Sequence, residues 1–440
     1  MMLLTDFILP AVLLSSGIFL TVRLKLVQLR FLGEGIKNLF RSEGGDDKGI
    51  SPFRTLMTSL AAQLGTGNIV GAGTAIITGG PGAVFWMWVS AFFGMACAYS
   101  EASLAVHTRK RASDGSPYGG AAYYISRAFT GKYATVTAGA FSLFSMAALG
   151  FTGVAVQSNS IAAALDEALS VPMWLTGLVI CMLAGVFITK GAEAISAFAE
   201  KTVPLFTLLY MGGCIAVILS NIKNLPYGIS LIFRCAFTPQ AVLGSASGIG
   251  IGRALSQGIK KGLFTNEAGM GSSPSVHAMS NTESPHFQGT LSVAGVFIDT
   301  FVMLTLTALA VITALYKRDS LPDMSLSGSQ AVSTALACIF THKGAEIFIA
   351  LSILFFAFAS ILGWSISGKM SALYLFSEKS GGIYTVASLL FVFMGCIMPC
   401  ELVWTLTDIF NALMVLTNIP ALLKLSPVTA SLIESKIRRM

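Results

Sequence analysis

Long runs of apolar residues separated by short polar segments dominate the chain. A helix needs about 20 predominantly apolar residues to cross a bilayer. Runs close to or above that length occupy residues 5–24, 52–79, 82–106, 133–163, 171–189, 195–220, 238–262, 287–315, 345–376, 383–398 and 400–424. The pattern therefore predicts an all-α polytopic membrane protein with eleven transmembrane helices.

The composition agrees with this prediction. Of the 440 residues, 54% are hydrophobic and only 11% are charged, whereas a soluble domain carries about 25% charged residues. The mean hydropathy is +0.75. Too little polar surface remains to cover a water-soluble globule, which excludes a single soluble enzyme, a secreted disulfide scaffold and a disordered chain.

The net charge of +7 comes from basic residues clustered between the apolar runs. It therefore indicates topology and no nucleic-acid partner. With the N-terminus outside, 23 Lys and Arg residues fall on the inner side and 5 on the outer side, with Arg253, Lys260 and Lys261 counted as inner. Because cytoplasmic loops are enriched in basic residues, we expect an external N-terminus and a cytoplasmic C-terminus in the cell (inner) membrane.

Seven cysteines and four histidines add little chemistry. Most of the cysteines lie within apolar runs, as small buried hydrophobic residues do. The histidines lack metal-ligand spacing. The sequence predicts neither a metal centre nor a cofactor.

The spans divide the chain into four segments. Residues 1–50 contain an extra transmembrane helix and a stretch from Arg23 to Arg41 in which basic residues alternate with Leu, Val and Phe. That stretch is either an amphipathic helix on the inner membrane surface or a short cytoplasmic linker. Residues 51–225 and 226–424 each hold five spans, and residues 425–440 form a basic cytoplasmic tail.

Two spans contain glycine-rich interruptions. In the second span, Gly65 and Gly67 flank Thr66, and Asn68 follows in mid-membrane. Low helix propensity at that depth predicts an unwound turn that faces a cavity, although close helix packing through small residues is the alternative. The seventh span repeats the feature between Gly244 and Arg253.

The second and seventh spans stand five apart, so the two five-helix units cross the membrane in opposite directions. Paired interrupted helices in inverted repeats point to a secondary transporter with its site at the midplane. The first span then lies outside the repeat.

Several blocks resemble one family, the alanine/glycine:cation symporters. They are Gly65-Thr-Gly-Asn-Ile-Val-Gly71, Gly79-Gly-Pro-Gly-Ala-Val-Phe-Trp-Met-Trp88, Gly262-Leu-Phe-Thr-Asn-Glu-Ala-Gly-Met-Gly-Ser-Ser-Pro274, Gly295-Val-Phe-Ile-Asp-Thr300 and Phe356-Ala-Phe-Ala-Ser-Ile-Leu-Gly-Trp364. The blocks occur in order along most of the chain. The resemblance implies a sodium-coupled amino-acid transporter of the leucine-transporter fold, with spans two to eleven forming the 5+5 inverted repeat.

A zwitterionic amino acid needs opposed partial charges and little net charge at its site. Half-helix ends in an unwound turn supply both signs. We expect Gly65, Thr66, Gly67 and Asn68 to contact the substrate, with Thr66 and Asn68 adding directional hydrogen bonds.

Sodium prefers oxygen ligands, so the Gly65 carbonyl and the Ser360 hydroxyl are its candidates. The alternative for Ser360 is a hydrogen bond to its own helix. By resemblance, Trp364 walls the side-chain pocket and restricts it to alanine or glycine, while Phe151 and Gln157 belong to the substrate site. Gln157 is also a candidate for a simple helix cap.

The chain departs from the family pattern at three positions. Ala359 stands where a hydroxyl is common, Val154 where Asn is common, and Lys369 where an acidic residue is common. Ala359 bears on sodium coupling, and the other two bear on the choice of substrate.

Charged residues inside spans receive a functional interpretation by default. Glu101, Asp299 and Asp408 qualify, with structural pairing as the alternative for each. We expect Asn266 and Glu267 to lie in a loop after the seventh span, as a cap or a cytoplasmic gate.

These observations predict a symporter that imports alanine, glycine or a similarly small neutral amino acid with sodium, in contact with the lipid bilayer. A proton-coupled symporter of another small zwitterion is the live alternative, and a channel is a weaker one because no repeated filter residues occur. An intramembrane enzyme is not expected, because no His or Cys pair supplies a catalytic core. The sequence leaves the oligomeric state open.

Overall fold

The structure, a computed structural model, describes residues 7–41, 48–237, 251–317, 322–376 and 380–437. Almost all regular secondary structure in these ranges is helical. The α-helices are α1 (Leu9–Arg23), α2 (Val27–Asn38), α3 (Pro52–Gln63), α4 (Ala72–Gly79), α5 (Gly82–Thr108), α6 (Ala121–Ala128), α7 (Gly131–Ala147), α8 (Val154–Leu169), α9 (Met173–Lys190), α10 (Ala192–Ser220), α11 (Leu225–Phe237), α12 (Ile251–Asn266), α13 (Pro274–Ala278), α14 (Pro285–Val296), α15 (Thr305–Leu315), α16 (Gly328–Leu336), α17 (His342–Phe376), α18 (Ser380–Ile397) and α19 (Cys400–Ile437).

Smaller elements join these helices. A short antiparallel hairpin pairs β1 (Lys110–Arg111) with β2 (Pro117–Tyr118). A 3-10 turn precedes α11, at Ile222–Asn224. Wider π-helical turns connect α7 to α8 and α14 to α15, so each of these pairs forms one continuous span.

Among the described residues, eight helices are long and apolar enough to cross a membrane, or ten when each bent helix pair counts as one span. All ten match predicted spans. The remaining predicted span covers residues 238–262, of which residues 238–250 lie outside the described residues. Its second half is α12.

The structure differs from the sequence prediction in three places. The last span does not end at residue 424, because α19 continues to Ile437 with Pro420 and Pro427 inside it. Part of the predicted tail is therefore helical, and Thr429 and Ile433 within it are buried. Between α10 and α12 the chain adds α11, which is helical from Leu225 to Phe237, where this described range ends.

The third difference concerns α12, which continues to Asn266 instead of ending at residue 262. Arg253, Lys260 and Lys261 lie within α12, as the predicted span placed them.

The segment after the first span is a helix and not a linker. α2 lies at 80° to α1, as expected of a helix that lies along a membrane surface next to one that crosses it. Its buried side packs on α14, where Asn38 Nδ2 donates to Thr290 Oγ1 at 3.0 Å. Leu29 on the other side is exposed.

The helices differ in how deeply they lie in the bundle. In α17, 72% of the most apolar window is buried, compared with 28% in α9 and α10. α17 is therefore central, while α9 and α10 present apolar side chains outward. The first and last spans run side by side, since Leu13 of α1 and Ile419 of α19 both lie next to Gly269.

Candidate functional site

The second span is interrupted at its glycines. α3 ends at Gln63, a π-helical turn covers Gly67–Gly71, and the two halves meet at 46°. The Gly71 amide donates to the Thr66 carbonyl at 3.0 Å across that wide turn. The interruption leaves helix-end carbonyl and amide groups facing each other inside the protein.

Ser360 on α17 faces this interruption. Its hydroxyl donates to the carbonyl oxygens of Ala61, at 2.6 Å, and Ala62, at 3.0 Å. It therefore bonds to the end of α3 and not to its own helix, which was the alternative for this residue. Three oxygen atoms thus converge at one point of a buried site.

Gln157 on α8 also contacts the interruption. Its Oε1 accepts a hydrogen bond from the Thr66 amide at 3.1 Å. A Cβ atom on Gly65 would come within 2.5 Å of Ser360 Oγ and 2.8 Å of Gln157 Nε2. Glycine at position 65 is therefore required by the close approach of two other helices.

The seventh span has its own interruption, at residues 267–273 between α12 and α13. Glu267, Gly269 and Gly271 adopt positive φ angles, which end the helix, and the whole segment is buried. Glu267 begins a non-helical segment after α12, as expected of a loop, and Asn266 Oδ1 accepts from the Ala268 amide at 3.1 Å, as expected of a cap. Both side chains are buried inside the bundle. The predicted interruption after Gly244 falls mainly outside the described residues, and Gly252 and Arg253 are helical.

Glu267 pairs with the predicted pocket wall. Trp364 Nε1 donates to Glu267 Oε1 at 2.5 Å, and the Ser272 hydroxyl donates to Glu267 Oε2. Ser367, one turn after Trp364, donates to the Ser272 carbonyl at 2.8 Å. The interrupted seventh span and α17 therefore share one hydrogen-bond network.

Glu101 on α5 holds the same segment from the other side. Its carboxylate accepts from the amides of Gly269, at 3.2 Å, and Gly271, at 2.8 Å, and from Asn418 Nδ2 at 2.7 Å. Tyr124 donates to Asn418 Oδ1 at 2.6 Å and extends the network. The side chain is fully buried, and every one of these partners supports a structural role.

Asp299 reaches the first interruption. Its carboxylate accepts from Asn68 Nδ2 at 2.5 Å and from the Thr300 hydroxyl at 2.9 Å. Asn266 at the end of α12 donates to Thr300 Oγ1 at 3.3 Å. Asp299 is fully buried and links the two interrupted spans through one acidic group.

Three buried side-chain oxygen atoms at the first interruption have no hydrogen-bond partner: Gln63 Oε1 at the end of α3, Thr66 Oγ1 and Asn68 Oδ1. Buried polar atoms are nearly always paired in folded proteins. Unpaired ones at an interrupted helix are groups that a polar ligand can satisfy. The arrangement can thus hold a small zwitterion and a cation by oxygen atoms and helix ends alone.

Phe151 lies apart from this cluster. Its ring stacks on Phe391 of α18, with centroids 4.9 Å apart, and it lines an apolar pocket of about 440 Å³ with Tyr384. It sits in the π-helical turn Ala148–Gly153, which adds a residue and rotates the helix beyond it. The other predicted site residues, by contrast, lie at or next to the two interruptions.

The positions that depart from the family pattern have distinct surroundings. Ala359 and Val154 are buried. Lys369 is half-buried and lies beside Gly381 at the start of α18. Asp408, expected to pair with a basic residue or a backbone amide, lies 3.6 Å from Lys260 Nζ.

A cavity of about 810 Å³ opens beside the beginning of α3. Its lining includes Arg54, Tyr123 and Met370. Arg54 Nε donates to Glu200 Oε2 on α10 at 2.7 Å. This ion pair ties the first half of the interrupted span to a peripheral helix at the cavity mouth.

Within the described ranges, no group of three or more His, Cys, Asp or Glu side chains is arranged to hold a metal ion. The oxygen-rich sites above are of the kind that suits a hard cation. Sequence reasoning missed the pairing of Glu267 with Trp364. An acidic residue between Asn266 and two closely spaced glycines was the available signal.

Comparisons with known proteins agree with this geometry. The model of the family described as sodium:alanine symporter family matches residues 1–438. The sodium/alanine symporter AgcS of Methanococcus maripaludis is 35% identical, over 95% of this chain and 92% of that protein. The probable sodium/glutamine symporter GlnT of Bacillus subtilis is also 35% identical, over 98% and 88%.

Among solved structures, MhsT in complex with L-phenylalanine superposes with a TM-score of 0.52 at 14% identity, covering 88% of this chain and all of that one. This likeness shows the leucine-transporter fold. The helical architecture, the two interrupted spans and the family match lead to one conclusion: the chain belongs to the sodium:alanine symporter family and is a multi-pass membrane transporter, not an enzyme.

Proposed function

We propose that this transporter imports a small neutral amino acid, alanine or glycine, together with sodium by alternating access. The proposal rests on the place where the two interrupted spans meet, around Thr66 and Asn68. The side chains of Thr66 and Asn68 each have a buried oxygen without a hydrogen-bond partner. Leaving such a group unsatisfied costs about 1–3 kcal/mol, and a bound polar substrate recovers it. Paired interrupted helices are typical of secondary transporters.

The helix ends favour a zwitterion. The amide groups that begin the turn at Gly67 carry partial positive charge and suit a carboxylate. The carbonyl groups that end α12 at Asn266 carry partial negative charge and suit an ammonium group. A bound cation would balance the charge of Asp299 beside this turn.

The neighbouring side chains favour a small substrate. The Trp364 ring packs edge-on to Phe264, with centroids 5.9 Å apart, and a Cβ on Gly153 would lie 2.9 Å from the indole. A pocket bounded this closely by an indole suits alanine or glycine better than a long side chain. GlnT is named for glutamine, so glutamine is the competing substrate to test.

Sodium binding is assigned to Ser360 together with the carbonyl groups at the end of α3 and at Gly65. The Ser360 hydroxyl oxygen and the carbonyl oxygens of Ala61 and Ala62 already converge there. A sodium ion would be coordinated by these oxygen atoms in place of the hydrogen bonds that now join them. Such binding orders the interrupted span against α17 and raises substrate affinity. By linkage, the substrate raises sodium affinity by the same factor.

The orientation of the transporter is inferred from the charge asymmetry, and the inward sodium gradient sets the direction of transport. The basic clusters favour an external N-terminus and a cytoplasmic C-terminus in the inner membrane. The cavity beside α3 then opens toward the cytoplasm and provides the release path.

The test is uptake of labelled alanine into proteoliposomes under an inward sodium gradient, with glycine and glutamine as competitors. Thr66→Val should lower uptake at least about tenfold, because one hydrogen bond worth about 1.4 kcal/mol changes affinity tenfold. Thr58→Val is the matched control, since its buried hydroxyl is satisfied by Arg54 of its own helix at 2.7 Å. Equal losses of uptake in both variants would show that Thr66 does not bind the substrate.

A proton gradient imposed without sodium addresses the alternative coupling ion. If a proton gradient drives uptake and sodium does not stimulate it, the coupling ion is the proton and not sodium. In that case Asp299, the acidic group nearest the unpaired oxygens, would be the proton carrier. If the protein takes up glutamine but neither alanine nor glycine, the proposed substrate is wrong and the proposed site stands.

A further inference from the structure

A second polar cavity, of about 420 Å³, lies far from the interrupted spans, where the first two helices meet the last one. We call it the elbow pocket. Its walls come from the turn between α1 and α2 and from the final turns of α19, and they comprise Arg23, Leu24, Lys25, Arg30, Pro427, Ala430, Ser431, Ile433 and Glu434. Sites for small ligands typically have volumes of 300–1,000 Å³.

The turn between α1 and α2 has a defined backbone conformation and its own side-chain hydrogen bond. Lys25 and Leu26 adopt left-handed φ angles of 56° and 58°, a backbone conformation that is unfavourable for non-glycine residues. Gln28 Nε2 donates to Thr21 Oγ1 at 3.0 Å and closes the turn. The strained turn directs three basic residues to one cavity.

The elbow pocket has an excess of positive charge. Three basic side chains line it, and Glu434 is its only acidic lining residue. Across the described part of the chain, neither Arg23 nor Lys25 has a carboxylate within 4.0 Å. Lys424 nearby differs, because its ammonium group lies over the Phe129 ring at 5.0 Å. The pocket therefore favours an anion.

Apolar side chains surround the same elbow. Val22, Leu26 and Leu29 are exposed at 73%, 46% and 61%. A cationic pocket bordered by exposed aliphatic side chains fits a ligand with an anionic head and hydrocarbon chains. Basic pockets between transmembrane helices at the membrane surface bind lipid headgroups of this kind.

We propose that the elbow pocket binds the phosphate-bearing headgroup of an anionic phospholipid in the leaflet along which α2 lies. Arg23 and Lys25 contact the phosphate, and Arg30 on α2 covers it from the side. The acyl chains run along Val22, Leu26 and Leu29, the exposed aliphatic residues at the end of α1, in the turn and at the start of α2. This site is independent of the substrate site and of the coupling ion.

Native mass spectrometry of the full-length protein, titrated with phosphatidylglycerol or with phosphatidylcholine, tests the proposal. We expect phosphatidylglycerol to bind at least about tenfold more tightly. The double variant Arg23→Gln with Lys25→Gln should lose that preference. The matched control is Lys37→Gln with Arg41→Gln, which removes the same charge from the exposed side of the same segment and should keep the preference.

A second variant guards against loss of folding. Ser431→Asp places a carboxylate at an exposed pocket position and leaves every basic residue intact, so it should lower phosphatidylglycerol affinity at least about fivefold at an unchanged melting temperature. Equal losses in the two double variants would overturn the site in favour of diffuse attraction to α2. Displacement of the lipid by millimolar inorganic phosphate would assign the pocket to a free anion instead.

Discussion

The indole of Trp364 is fixed by a hydrogen bond to Glu267, so the shape of the pocket wall depends on a side chain from another span. A hydrogen bond to a charged group contributes about 1.5–3 kcal/mol. Glu267 itself is held by Ser272 and by the left-handed backbone at its own position. Small changes at Glu267 should therefore alter substrate recognition without touching the substrate.

Glu267→Ala should raise the KM for alanine roughly tenfold, because the buried indole N–H loses its acceptor. Trp364→Phe removes the donor and should have a similar effect. If the two residues act as one unit, the double variant should be no worse than either single variant in the same uptake assay. Additive losses would mean that the two side chains work separately.

Asp299 is the acidic group closest to the unpaired oxygens of the site. Asp299→Asn keeps the shape and removes the charge, so we expect the sodium concentration for half-maximal uptake to rise at least about tenfold. Asp408→Asn is the control, because that carboxylate pairs with Lys260. An unchanged sodium dependence in Asp299→Asn would separate this residue from ion coupling.

Ser360 can be tested against a serine on the same helix. Ser360→Ala should also raise the half-maximal sodium concentration about tenfold, because it removes one of three converging oxygen atoms. Ser365→Ala should change it less than about twofold, since the Ser365 hydroxyl donates to Leu362 of its own helix at 2.6 Å. The same shift in both variants would argue for a general effect on α17.

The spans themselves were predictable because the length of an apolar run is a local property of the sequence. The first interruption was predictable for the same reason, since Gly65 and Gly67 flank polar residues. The second predicted interruption, after Gly244, lies mainly outside the described residues. The break at residues 267–273 was not predicted as an interruption, because Lys260 and Lys261 resemble the end of a span and the burial of Glu267 depends on partners almost 100 positions away. Phe151 lies away from the other predicted site residues because it is in a π-helical turn, which no local sequence pattern predicts.

The close approach at Gly65 gives a test of the first interruption. Gly65→Ala should destabilise the protein by about 1–3 kcal/mol and abolish uptake, because its Cβ overlaps Ser360 and Gln157. Gly71→Ala is a buried control on the same span, where the nearest atoms lie 4.0 Å from an added Cβ. A thermal shift assay in detergent should show a lower melting temperature for the first variant only.

In the molecule as a whole, the Arg54–Glu200 pair joins the first half of an interrupted span to α10 beside the large cavity. Both side chains are partly exposed, at 37% and 30%, so the pair contributes up to about 1 kcal/mol. That energy is enough to change a balance between two transporter states about fivefold.

Because the pair is formed in the structure with the cavity open, Glu200→Gln should decrease the fraction of molecules in which the cavity is open. A cysteine at Leu373, in a background with Cys338→Ser and Cys400→Ser, should react up to about fivefold more slowly with a polar thiol reagent. Glu346→Gln, which breaks a surface pair with Lys343, should leave the rate unchanged. Equal rates in all three proteins would exclude a gating role for the pair.

The contacts of Glu101 have a consequence for biosynthesis. Its partners are the amides of Gly269 and Gly271 and the side chain of Asn418, all in the half of the chain that leaves the ribosome later. Until then, an inserted first half holds a carboxyl group in the bilayer without its hydrogen bonds. The first half therefore completes its hydrogen bonding only after the second half has inserted, when the last helix reaches a carboxyl group that entered the membrane with the third span.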